Sequence, residues 1–136
     1  MPLVRIDLDK AAPAERAGII GDIVYQAMRA VAGVPEDDKF QIITRHENAE
    51  IVYPADGYLG VEYSPDLVII QITWNTGRSI EVKKQLYRMV ADEIARRAGI
   101  SRQDVFISII EVSKENWSFG NGEMQYAPKP DGNADR

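Results

Sequence analysis

Apolar and polar positions alternate from the start of the chain. Val4, Ile6 and Leu8 share one face and Leu3, Arg5 and Asp7 the other, a period of two that predicts a strand over residues 2–8. The period then lengthens. Ala17, Ile20, Val24, Ala27, Met28 and Val31 recur at helical spacing between Pro13, suited to a first turn, and Gly33, suited to a left-handed stop. A helix is therefore expected over about 13–32. After the polar turn at Asp37-Asp38, Phe40–Thr44 reads as a second strand, and residues 47–66, holding Pro54, Gly57, Gly60 and Pro65, as a long connection. Leu67–Thr73 is almost continuously apolar, the pattern of a strand covered on both faces. Ser79 is a natural N-cap with Glu81 favourable to the helix dipole; Val82, Leu86, Met89, Val90 and Ile94 form the stripe, and Arg96, Arg97 and Gly99 close it. Val105–Ile110 is the fourth strand. Asn121-Gly122, flanked by Trp117, Phe119 and Tyr126, predicts a small hairpin over 116–126.

The two halves repeat. Gly33 and Gly99, Phe40 and Phe106, and Ile20 and Leu86 all lie 66 positions apart. The pattern is a tandem β-α-β unit, and each unit should be a right-handed parallel crossover. The fold class expected is α+β: a four-stranded sheet with two helices on one face. The other face, to which this reading assigns Ile69, Ile107 and Ile109, needs cover, and the sequence offers no further helix. Other copies of the chain are the expected cover, as a homotrimer or larger homo-oligomer.

Composition narrows the function. A chain of 136 residues is expected to form one domain, here over 1–126, with the Pro- and Gly-containing residues 127–136 a disordered tail. A net charge of −5 argues against general nucleic-acid binding. Zero cysteines exclude disulfides and thiolate metal sites, and a lone histidine, His46, argues against a histidine-based zinc centre. No cofactor is expected. No signal-peptide or membrane-spanning pattern occurs, so a cytoplasmic protein acting on a small molecule is the expectation.

The chemistry-bearing candidates are few. Removal of Met1 would leave Pro2 with a free secondary amine; in a dry pocket beside a cation such an amine loses basicity and can be half-neutral near neutral pH. Arg78 stands just before a helix N-terminus, where backbone N–H groups already favour anions. Asp38, next to Asp37, reads as turn chemistry. Asn75 is either a donor to a substrate carbonyl or a turn residue. Trp117, Phe119 and Tyr126 suit a subunit interface, where aromatics are enriched. His46 reads as structural or exposed, and Gly120-Asn121-Gly122 lacks phosphate-loop spacing.

These residues together carry a resemblance. Pro2, the doubled β-α-β unit, Gly33-Val34-Pro35-Glu36-Asp37-Asp38, an arginine after the third strand and Trp117-Ser118-Phe119-Gly120 resemble the tautomerase superfamily, in its malonate semialdehyde decarboxylase-like branch, over about residues 2–126. The resemblance implies a trimer with an amino-terminal proline as catalytic acid or base. Position by position it implies Pro2 as the catalytic amine, Asp38 as the assisting aspartate, Arg78 as one of two substrate-binding arginines, and Trp117, Phe119 and Tyr126 as the wall. The decarboxylase carries an arginine–proline–arginine segment where this chain reads Trp74-Asn75-Thr76-Gly77-Arg78. One cation is missing, which favours tautomerisation of small 2-oxo or enol carboxylic acids. Decarboxylation of a malonate semialdehyde-type acid and a non-catalytic trimeric binding module are the other readings.

Overall fold

The computed structural model describes residues 2–127. Its elements are β1 (Leu3–Asp9), α1 (Ala14–Ala32), β2 (Phe40–His46), β3 (Val68–Asn75), α2 (Ile80–Ala98) and β4 (Val105–Val112), with single 3-10 turns at Arg102–Asp104 and Lys114–Asn116. The repeat is carried into three dimensions: Ala14 and Ile80, like Ala32 and Ala98, lie 66 positions apart. Both helices stop where glycine can take the left-handed conformation a side chain resists, Gly33 at φ 70° and Gly99 at φ 68°. Ser79 caps α2 by accepting the Val82 N–H at 3.2 Å.

The sheet order is β2-β1-β3-β4. β1 and β2 run parallel, as do β3 and β4, and the two units meet antiparallel along β1 and β3. One face is covered by the helices. Val4, Ile6 and Leu8 from β1, Val68, Ile70, Ile72 and Trp74 from β3, Ile20, Val24 and Met28 from α1, and Leu86, Val90 and Ile94 from α2 form one core, all nearly or wholly inaccessible. Each such side chain contributes roughly 1.5–3 kcal/mol by leaving water.

Two expectations are corrected. Ile107 and Ile109 do not belong to the uncovered face. Register pairs them with Ile70 and Ile72, and they pack against the core beneath the helices. The uncovered face instead presents Phe106 and Ile110 from β4 and Phe40 and Ile42 from β2, all exposed in the single chain. Val105–Ile110 is apolar at almost every position, so its phase cannot be read without its partner strand. The second correction concerns 116–126. Asn121 (φ 60°) and Gly122 (φ 69°) make the tight turn, with the Glu123 N–H on the Gly120 carbonyl at 3.2 Å, but no strands flank it. The Gln125 side chain closes the loop instead, accepting the Phe119 N–H at 2.9 Å and donating to the Gly120 carbonyl at 3.1 Å. The expected tail, save Ala127, lies outside the described residues.

The long connection between β2 and β3 is tied down by a residue the sequence reading did not single out. Asp104 is 2% exposed and accepts from the Ser64 N–H at 2.7 Å and the Ser64 hydroxyl at 2.6 Å. These bonds satisfy a buried carboxylate that would otherwise be costly. Among the described residues, no helix is long and apolar enough to cross a membrane.

Candidate active site

The topology collects one end of every strand. β1 and β2 begin where β3 and β4 finish, so Pro2, the turn before Phe40, Asn75 and Val112 share one end of the sheet. Helix α1 ends there and α2 starts there. All seven residues singled out by sequence lie at this end or in the loop that follows β4.

Pro2 is buried and immediately precedes β1. The β1–β3 ladder runs Leu3↔Thr73 and Val4↔Ile72, and its next step sets Pro2 across from Trp74. Directly opposed residues in an antiparallel pair lie about 4.5–5.5 Å apart and share a face. Trp74 is inaccessible and forms a platform: the Arg78 guanidinium lies 4.2 Å from its ring centroid. Trp74 was missed as a candidate, although it stands in the even phase of β3 that faces the helices. Its indole N–H is buried and has no hydrogen-bond partner among the described residues.

Arg78 is fixed on two further sides. Its Nε donates to the Ala32 carbonyl at the end of α1 at 3.0 Å, and its Nη1 to the Asn75 carbonyl at 3.3 Å. The first of these occupies an orphan carbonyl at a helix C-terminus, where a cation is also favoured by the dipole. Burial pulls the Arg78 pKa below the ordinary arginine value, and the Glu111 carboxylate opposes that pull. Glu111 itself pairs with Lys83 at 2.9 Å. A guanidinium so placed stays cationic near neutrality. Nη2 makes no hydrogen bond to the described residues and is the part left to meet an anion.

The loop after β4 is joined to this group through Asn75, whose Oδ1 accepts the Trp117 indole N–H at 2.7 Å. Trp117 stacks on Phe119 with centroids 5.5 Å apart, and Phe119 meets Tyr126 edge-on at 5.2 Å. The three aromatics thus form one continuous wall rather than three separate packing residues. Asp38 is less closely integrated. Its N–H closes a turn on the Pro35 carbonyl at 3.2 Å, two residues before β2, and its side chain makes no hydrogen bond or ion pair with Arg78, Asn75 or Trp117. His46, expected to be structural or exposed, holds the Asp7 carboxylate at 2.7 Å at the far end of β2. A concavity of about 370 Å³ lined by Leu8, Ala12, Pro13, Arg16 and Pro65 also lies at that far end, away from the candidate residues.

Known proteins resemble this chain over most of its length. Residues 38–120 match the family model described as tautomerase enzyme. A probable tautomerase, YusQ of Bacillus subtilis (strain 168), is 38% identical over 125 residues, covering 92% of this chain and 98% of that protein. The crystal structure of FG41 malonate semialdehyde decarboxylase inhibited by 3-bromopropiolate is 38% identical, with a TM-score of 0.83 over 91% of this chain and 93% of that one. A fused 4-OT, solved as a symmetric trimer, shares the fold at 16% identity, with a TM-score of 0.72 over 89% of this chain and 94% of that one. The chain therefore belongs to the tautomerase superfamily, on its malonate semialdehyde decarboxylase-like branch.

Proposed function

We propose that this enzyme interconverts the enol and oxo forms of small 2-oxo carboxylic acids, with Pro2 as general acid and base. The observation that carries the reading is the Arg78 guanidinium, held on Trp74 and two backbone carbonyls at the end of the sheet where Pro2 leads into β1. One carboxylate oxygen of the substrate meets Arg78. The Pro2 nitrogen, in a chain from which Met1 has been removed, carries the proton between substrate oxygen and carbon; no atom is gained or lost. Burial and a neighbouring cation both favour the neutral amine, which brings its pKa toward working pH. Asp38 orients a water or shares the proton. Trp117, Phe119 and Tyr126 exclude bulk water, which strengthens the field of Arg78 on the developing charge.

Decarboxylation of a 3-oxo acid is the second reading, favoured by the 38% identity to a malonate semialdehyde decarboxylase. In it Arg78 and Asn75 polarise the substrate carbonyl and the bond to the carboxylate breaks as carbon dioxide leaves. The electron pair moves into an enolate, and protonated Pro2 returns a proton to carbon. A non-catalytic binding module is the reading that remains if Met1 is retained, because the Pro2 nitrogen is then an amide without a basic lone pair.

The unit is proposed to span residues 1–126 and to work as a homotrimer. Support comes from the exposed apolar residues Phe40, Ile42, Phe106 and Ile110 on the uncovered sheet face and from the trimeric fused 4-OT that shares the fold. The deciding experiment uses protein whose intact mass shows a chain beginning at Pro2. A panel of small enol and 3-oxo acids is followed for ketonisation and for carbon dioxide release, with Pro2→Ala alongside. Pro2→Ala should lower turnover by at least about a hundredfold, the scale of general acid–base catalysis, and leave the oligomer intact. Unchanged turnover would remove Pro2 from the mechanism.

A further inference from the structure

Asn75 joins the two halves of the candidate site through its acceptors. Its backbone carbonyl takes the Arg78 Nη1–H at 3.3 Å and its side-chain oxygen takes the Trp117 indole N–H at 2.7 Å. The second bond has a consequence for the direction of the amide. An indole N–H can donate and cannot accept, so only the oxygen of the Asn75 amide can face Trp117. The amide nitrogen must then point the other way. Asn75 is only partly buried, and its Nδ2 makes no hydrogen bond to the described residues. Two N–H donors are thus left without a described partner on the residue whose backbone carbonyl holds Arg78.

We propose that Trp117 is a positioning residue that locks the Asn75 amide with its nitrogen toward the substrate, and that the site thereby selects acids bearing an acceptor oxygen next to the carboxylate. Such an oxygen is the carbonyl of an oxo acid and, in the reaction, the enolate that forms from it. The Asn75 Nδ2–H bond strengthens as negative charge gathers there, so it stabilises the transition state more than the ground state. A methylene in place of that oxygen leaves the amide donors unpaired, which is how a polar site rejects an apolar analogue. The inference rests on the reading of Arg78 as the carboxylate clamp, and it assigns Trp117 a role besides that of aromatic wall.

The test uses two ligands that cannot tautomerise and differ at one group. Phenylglyoxylate has an oxo group beside its carboxylate and no hydrogen on the neighbouring carbon; 2-phenylacrylate has a methylene there. Calorimetric titration of the wild-type oligomer should show phenylglyoxylate bound about tenfold more tightly, the value of one good hydrogen bond. Trp117→Phe keeps the ring against Phe119 and removes only the N–H; it should collapse the preference to about twofold or less, as should Asn75→Ala. The double variant should be no worse than Asn75→Ala, since Trp117 acts through Asn75. Asn75→Asp, which turns an acceptor toward the ligand, should weaken phenylglyoxylate more than Asn75→Ala does. A wild type without the preference, a Trp117→Phe variant that keeps it, or additive losses in the double variant would overturn the inference. Binding is read without turnover, so failure of the proton-transfer reading would show separately, as a Pro2→Ala variant with unchanged turnover.

Discussion

Arg78 cannot be replaced by another cation without loss, because three of its contacts use the planar guanidinium. It stacks on Trp74 and donates to Ala32 and Asn75 with two different nitrogens. A lysine ammonium offers a point charge and cannot stack or fork in this way. Arg78→Lys is therefore expected to lower kcat/KM by about a hundredfold, or roughly 2.7 kcal/mol of transition-state stabilisation, measured by steady-state kinetics. A wild-type value would discard the clamp. The pH dependence can also be assigned. The folded pKa of Arg78 is depressed, so folding disfavours its charged form. That penalty is constant at every pH below the folded value and is relieved only in strongly alkaline solution. Activity changes between about pH 5 and 9 therefore do not come from Arg78. If neutral Pro2 starts the reaction as a base, kcat/KM rises with pH through that range; if protonated Pro2 is required, as in decarboxylation, it falls. Residue identity made Pro2, Arg78 and Asn75 visible in sequence, but Trp74, just beyond the strand read over Leu67–Thr73, carried no role until the fold set Arg78 on its ring.

At the scale of elements, α2 bears on the candidate site because its Ser79 cap follows Arg78 directly. Ser79→Ala removes the Ser79–Val82 cap and is expected to cost about 1 kcal/mol, read from urea unfolding. A raised KM should accompany it as the start of the helix frays. At the opposite end of β4, Asp104→Ala strips two bonds from Ser64 and is expected to cost about 1–3 kcal/mol. Limited proteolysis should then cut within 47–66 faster than in the wild type, and unchanged cleavage would show that Asp104 does not hold this connection. Both helices, their glycine stops and the Ser79 cap were legible because capping depends on residues within one turn. The Asn121-Gly122 turn was legible for the same reason. Its hairpin was not, because strands need partners along their whole edge, and here the Gln125 side chain takes the bonds a ladder would have used.

The whole molecule leaves one face of its sheet without a covering layer. Phe40, Ile42, Phe106 and Ile110 are 41–51% exposed there, an arrangement that favours association over an isolated chain. If this face is the subunit contact proposed above, Phe106→Glu should place a charge in it and shift the oligomer to monomer in sedimentation or size-exclusion measurements. A variant that stays oligomeric would move the interface elsewhere.

The sequence alone determined the doubled β-α-β plan, the helix limits and the 66-residue spacing, because these depend on periodicity and on near neighbours in the chain. The tertiary structure decided which face Ile107 and Ile109 occupy, since a strand apolar on both sides has no phase of its own until β3 fixes its register. It also decided that Arg78 rests on Trp74 and that Trp117 reaches Asn75, 42 positions away in the chain, because hydrogen bonds and ring contacts between distant segments follow from how strands pair rather than from the order of residues.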